Sequence, residues 1–313
     1  MSIPANGSPA WFDRALATTS EQGSIEVEGA AINYRVWGPA GAPGVVLVHG
    51  SNAHLEWWRF VAPFLADQFR VAALDLSGNG DSGWRETYSG ELFAKETFAV
   101  AQAAGLGDKP FVVGHSFGGY VALETGHLFG DRLGGIIMND FTVSAPETYT
   151  EWGRRAEREG KTKRGTRVYE DQDAALARFR FIPEQPNRFP AVTDYIARAS
   201  LRPVDGGWTW KFDPTLFDDL EMGVAQRDKF AGLPCPSAVV LGEHSTDSGA
   251  QDAPYMMEIS AGLLPVIEIP NTYHHMMFEE PLALTMAIKG LLLAWRAEGQ
   301  SDTMKKALES IRE

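Results

Sequence analysis

The chain has a single cysteine in 313 residues. No intrachain disulfide can form, so the fold must rest on its apolar core. Cys235, between Pro234 and Pro236 at an expected strand start, reads as a small buried filler rather than a nucleophile or a metal ligand. The chain also lacks any run near the ~20 apolar residues that a membrane-spanning helix needs. Met1 to Gly7 carries neither the basic cluster nor the apolar block of a signal peptide. These absences predict a soluble, cytoplasmic protein without membrane contact. Positive charge is scarce: 28 Lys and Arg stand against 41 Asp and Glu, a net charge of −13. That balance argues against non-specific nucleic-acid binding, which needs a basic surface. The one basic cluster, Arg154 to Arg167, reads as a solvated helix and loop. There is no internal repeat and no low-complexity segment. A small molecule is the expected partner, and the pattern leaves the oligomeric state open.

What is present is an apolar fraction of 44%, enough for a sizeable core. Ser24–Glu28 and Ile32–Val36 alternate like the two strands of a hairpin. Val45–Val48 is a continuous β-branched run, as expected for a strand buried on both faces. Strands also fit Arg70–Leu74, Phe111–Val113, Gly135–Met138, Ser237–Leu241 and Pro265–Ile269. Helices fit Trp57–Ala66, Glu91–Ala104, the stretch after Ser116, Pro254–Ala261 and Pro281–Trp295. This βαβα order predicts an α/β fold, a mostly parallel central sheet with helices on both faces. The alternation breaks between Phe141 and Phe230, where aromatics such as Trp152, Tyr169, Phe179, Trp208 and Trp210 make disorder improbable. The expected organisation is an N-terminal extension (1–20), a core (21–140 and 231–300), an inserted helical cap (141–230) and a C-terminal tail (301–313) that reads as a charged surface helix.

Chemistry concentrates at Gly114-His115-Ser116-Phe117-Gly118, a Gly-x-Ser-x-Gly pattern between an apolar strand and a helix start. A serine on so sharp a turn is lifted above the sheet with helix amides aimed at it. A serine hydroxyl needs a base, and the base needs an orienting group. His274 is the candidate base, in a loop between the last apolar strand and the final long helix; its neighbour His275 fits the pattern equally. Adjacent histidines usually diverge, which argues against a pair of metal ligands, and neither a metal nor an organic cofactor is expected. Two carboxylates compete for the orienting role: Asp140, directly after the sixth strand, and Asp247, after the seventh. Acyl transfer also needs oxyanion donors, for which the backbone amides of Phe117 and Ser51 are the candidates. Asn52, Trp57 and Trp152 are expected at the substrate pocket. Gly78-Asn79-Gly80-Asp81-Ser82-Gly83 matches Gly-x-Gly-x-x-Gly but leads into a loop, whereas a dinucleotide site would open a helix there.

Together these residues resemble the α/β-hydrolase superfamily, over nearly the whole chain outside the extension, the cap and the tail. His49-Gly50 is similar to its oxyanion motif. Asp75-Leu76-Ser77-Gly78-Asn79-Gly80-Asp81-Ser82 resembles its Asp-x-x-Gly-x-Gly-x-Ser loop, and Gly114–Gly119 its nucleophile turn. His274 with Glu279 and Pro281 resembles its His-x-x-x-x-Glu-x-Pro segment. One departure concerns the acid: the usual Gly-x-x-Asp position, counted from Gly242, is Ser245. Relatives such as haloalkane dehalogenases place the acid after the sixth strand, and that similarity favours Asp140 over Asp247. Dehalogenases and epoxide hydrolases of this fold carry aspartate as nucleophile, whereas this chain has Ser116. The resemblance therefore implies a cofactor-free serine hydrolase cleaving a carboxylic ester, thioester or lactone of a small apolar or aromatic substrate. A C–C hydrolase, a perhydrolase or a slow ligand receptor with the same triad are the alternatives.

Overall fold

The computed structural model describes residues 7–151, 165–223 and 225–310. An eight-stranded sheet runs through the molecule. Its strands are β1 (Glu21–Val27), β2 (Ala30–Trp37), β3 (Gly44–Val48), β4 (Arg70–Leu74), β5 (Phe111–His115), β6 (Gly135–Asn139), β9 (Ser237–Gly242) and β10 (Val266–Ile269). They lie in the order β1-β2-β4-β3-β5-β6-β9-β10. The β1–β2 hairpin joins antiparallel at one edge, and β4 to β10 are parallel. The expected mostly parallel α/β sheet is therefore what the chain forms.

Side-chain period two divides the core between the two faces of the sheet. Val46, Val48, Ile136 and Met138 lie in one buried cluster, with Phe93 and Val100 of α3 (Gly90–Ala103) and Val121 of α4 (Phe117–Phe129). Val45, Leu47, Ile137 and Val240 lie in the other, together with Leu284, Ile288 and Leu292. Those last three, spaced four apart, are the buried stripe of the C-terminal helix Pro281–Ser310. This helix continues well past Trp295, into the segment expected as a separate tail. At the other end α1 (Ala10–Ala17) buries Trp11, Phe12 and Ala15, so the N-terminal extension belongs to the second cluster.

Two expectations need correction. The helix foreseen over Trp57–Ala66 is split into a 3-10 turn (Leu55–Trp58) and a short α2 (Ala62–Leu65). Pro63 has no N–H to bond back into a preceding turn, so it sits in the first turn of a new helix. The insertion between β6 and β9 is not purely helical. Besides α5 (Gln172–Leu176), α6 (Pro190–Ala199) and α7 (Gln226–Ala231), it contains a hairpin of β7 (Leu201–Val204) and β8 (Gly207–Trp210). Asp205-Gly206 turns that hairpin with Gly206 at φ +84°, a dipeptide that favours tight two-residue turns. Among the described residues, no helix is long and apolar enough to cross a membrane.

Candidate active site

Ser116 occupies the turn between β5 and α4 at φ 53° and ψ −119°, a conformation costly for any residue with a Cβ. The turn is over-determined by close packing. A Cβ on Gly114 would lie 1.8 Å from the Gly118 carbonyl oxygen, and one on Gly118 would lie 2.3 Å from that of Val48. The Ser116 amide donates to the Asn139 carbonyl at 2.8 Å. Asn52 and Asp140 also have positive φ (54° and 48°). Three strained non-glycine residues thus converge at the carboxyl end of the sheet, where open α/β folds bind ligands.

His274 Nδ1 lies 2.6 Å from Asp140 Oδ2, and both side chains are buried. Asp140 is held in turn: the Gly242 amide donates to its Oδ1 at 2.9 Å, and the Ser245 hydroxyl donates to its Oδ2 at 2.5 Å. A carboxylate only accepts, so Nδ1 of His274 is the donor in this contact. Asp247 lines a cavity together with Ser116 and His274, but its Oδ1 accepts from the Gly249 amide at 2.9 Å and caps a 3-10 turn. The structure thus brings Asp140, and not Asp247, to the imidazole.

The loop carrying His274 is clamped from both sides. Glu279 accepts from the Tyr273 amide at 2.6 Å, and burial raises its carboxyl above the usual range. Pro281 begins the following helix, where a missing N–H is least costly. His115, the residue before the serine, places Nε2 2.8 Å from the His274 carbonyl. His49 bridges the end of β3 to the loop after β4: Nδ1 faces the Gly50 carbonyl at 2.8 Å, and Nε2 accepts from the Leu76 amide at 3.1 Å. Burial pulls the His49 imidazole down to about 4 and that of His115 to about 3, so both are neutral near pH 7.

Ser116 and His274 line one cavity of about 550 Å³. Ser51, Asn52 and Trp57 line it from the β3 side, and Phe179, Ile182, Trp210 and Phe212 from the insertion. Phe117 is the first residue of α4, where a backbone N–H has no partner within the helix. Its ring points away into the core, against Phe93. Trp152 lies outside the described residues, as does most of the Arg154–Arg167 cluster. Tyr169 pairs with Trp208, and Trp58 is fully buried. The Gly78–Gly83 loop wraps Asp75, whose oxygens accept from the Leu55 and Asp81 amides at 2.7 and 2.9 Å. It also pairs with the insertion, the Gly80 amide donating to the Lys211 carbonyl at 2.8 Å. That is the work of a structural loop. A second, polar recess of about 370 Å³ beside β1–β2 is lined by the ion-paired Arg35, Glu56, Lys211 and Asp81, and shares no lining residue with the first.

One expectation fails at the histidines. His274 and His275 do not diverge: their ring centroids are 4.8 Å apart, and His115 lies 5.0 and 5.3 Å from them. His115 and Ser245 take positions in the site that were not assigned from the sequence, and His275, an alternative base by pattern, lies beside His115. The vacancy at the usual acid position was the one signal available for Ser245.

Residues 45–287 match the profile of the Alpha/beta hydrolase family. The chain is 27% identical over 291 residues to Esterase Rv0045c of Mycobacterium tuberculosis, covering 88% of this chain and 94% of that protein. A solved structure of that esterase, described with its transition metal inhibition, superposes with a TM-score of 0.71 at 22% identity, covering 90% of this chain and 96% of the other. The structure of E-2-(acetamidomethylene)succinate hydrolase superposes with a TM-score of 0.72 at 20% identity, covering 87% and 98%.

Proposed function

Because this chain belongs to the alpha/beta hydrolase family, we propose that it is a serine hydrolase that cleaves an ester-like acyl bond of a small apolar or aromatic substrate. The observation that carries the reading is the 2.6 Å contact of His274 Nδ1 with Asp140, in a cavity shared with Ser116. The similarity to an esterase along most of both chains supports the same bond type. In this mechanism Ser116 attacks the carbonyl carbon while His274 Nε2 takes the hydroxyl proton. Asp140 keeps the imidazole in the right tautomer and stabilises its charged form. The amides of Phe117 and Ser51 donate to the tetrahedral oxyanion. His274 then protonates the leaving alkoxide, and water releases the acyl group by the reverse sequence. Residues 141–230 act as the cap, with Trp57, Phe179 and Trp210 as apolar walls for the acyl group. A chain with one cysteine fits a reducing compartment, and a cytoplasmic location completes the proposal.

The test is intact mass after exposure to a fluorophosphonate, beside turnover of p-nitrophenyl esters. One adduct on the wild type and none on Ser116→Ala is the expected result; a folded wild type that takes no adduct and turns over no ester would overturn the reading. The acid is tested separately. Asp140→Asn should lower kcat by about 10³–10⁴-fold, as losing the orienting carboxylate does in other serine triads, while Asp247→Asn stays within a few-fold of wild type. The opposite ranking would move the acid to Asp247.

A further inference from the structure

The three histidines at the site are held in one consistent way. A carbonyl oxygen only accepts, so the 2.8 Å contact of His115 Nε2 with the His274 carbonyl puts the proton on Nε2. The same argument applies to His275, whose Nε2 donates to the Ile182 carbonyl at 3.1 Å, and to His274, whose Nδ1 donates to Asp140. Each ring thus has one nitrogen fastened by an acceptor, and in the neutral imidazole the other carries a lone pair. For His115 and His275 that second nitrogen, Nδ1, is buried without a hydrogen-bond partner, an arrangement that native interiors rarely leave unexplained. The rings are 1%, 3% and 6% exposed for His115, His274 and His275, and all three line the same cavity.

We propose that His115, His274 and His275 form a binding site for one borderline divalent cation of the zinc or copper class, and that the ion switches the enzyme off. One ring nitrogen from each of the three lies within 4.8 Å of the others. A tetrahedral ion with Zn–N bonds of about 2.0–2.1 Å sets its donors roughly 3.4 Å apart. Binding therefore requires the donors to draw in from separations of up to 4.8 Å. Imidazole donors select zinc, copper and nickel, whereas Mg²⁺ and Ca²⁺ require oxygen. The outer partners are those of a built site: metal-bound histidines characteristically donate their other N–H to a carboxylate or a carbonyl. Three protein donors leave the fourth tetrahedral position unfilled by the protein. Binding rests on the rings alone. The inhibitory half rests on the proposed function, because an ion on Nε2 of His274 occupies the lone pair that would accept the serine proton.

The experiment uses the full chain, Co²⁺ as a visible probe and Zn²⁺ as competitor, with ester turnover followed in parallel. The expected result is one equivalent of nitrogen-bound, low-coordinate Co²⁺, displaced by Zn²⁺ and untouched by Mg²⁺. Ester hydrolysis is lost over the same Zn²⁺ range and restored by EDTA. His115→Phe and His275→Phe, each judged against its own metal-free rate, should weaken Co²⁺ binding and raise the inhibiting Zn²⁺ concentration by at least about tenfold. Histidine ring ¹⁵N spectra of the wild type give a readout free of folding defects: three of the seven histidines must shift with Zn²⁺. Absence of Co²⁺ bands, fewer than three shifted rings, or unchanged zinc sensitivity in both folded variants would overturn the site. Metal binding to a chain that hydrolyses no ester even when metal-free would uphold the site and count against the serine-hydrolase reading instead.

Discussion

At the scale of single residues, Ser245 is the informative case. It stands where the sequence pattern leads one to expect the acid, and its hydroxyl donates to Asp140, the carboxylate at the end of the neighbouring strand. Besides His274, Asp140 thereby has two donors, the Gly242 amide at the end of β9 and the Ser245 hydroxyl in the loop after it. A hydrogen bond to a charged group is worth about 1.5–3 kcal/mol. Ser245→Ala should therefore lower kcat by about ten- to a hundredfold with KM nearly unchanged, and Ser245→Thr should restore much of the loss. A wild-type kcat in Ser245→Ala would show that the Gly242 amide alone holds the carboxylate. The positions of Ser116 and His274 at one cavity were legible because each sits in a local pattern, a glycine-flanked turn and a loop ahead of a proline-started helix. The convergence of His115 on His275 was not. Those rings meet because β5 and the loop after β10 end at the same edge of the sheet, more than 150 positions apart in the chain, and no local spacing encodes that.

Among the elements, α1 is the one whose role the sequence left blank. Its pattern is short and isolated, so nothing local says what its apolar face meets. In the structure Trp11 packs edge-on against Phe12 and Phe189 and tilts against Phe60, while Phe12 meets Tyr195. Phe60 belongs to the core, and Tyr195 lies on α6 with Phe189 at its N-terminal boundary. The helix thus joins the N-terminus to the insertion across the second cluster. Trp11 is 1% exposed, and truncating a buried tryptophan typically costs about 3–5 kcal/mol. Trp11→Ala should lower the unfolding free energy by that amount in urea titration, and a loss under ~1 kcal/mol would mean that α1 is merely laid on the surface. Buried parallel strands were read easily because they need continuous β-branched runs. The β7–β8 hairpin escaped, although Asp205-Gly206 signalled its turn, because half-exposed strands among aromatics look like any partly apolar stretch.

For the whole molecule, the question is whether the insertion is a separate unit. Both core clusters say otherwise. Phe141, Val143, Leu216 and Phe230 enter the first, and Phe181, Val192 and Ile196 the second. Polar ties add to them: Lys229 pairs with both oxygens of Glu124 at 2.7 Å, and the Tyr88 hydroxyl donates to Asp213 at 2.7 Å. A segment that shares its apolar surface with both faces of the sheet cannot unfold without opening them. Cys235 offers a probe on the far side of that linkage. It is buried in the first cluster, and burial pushes its thiol up to about 12. Only the thiolate reacts with a disulfide reagent, so near pH 8 native Cys235 should be inert and label only when the core opens. Labelling of Cys235, tryptophan fluorescence and far-UV circular dichroism should then share one urea midpoint, in a chain long enough for multi-step unfolding to be common. If the insertion melted first, Trp208 and Trp210 would report at lower urea while Cys235 stayed protected. Those separated midpoints would make residues 141–230 an independently stable cap and detach the pocket walls Phe179 and Trp210 from the stability of the core.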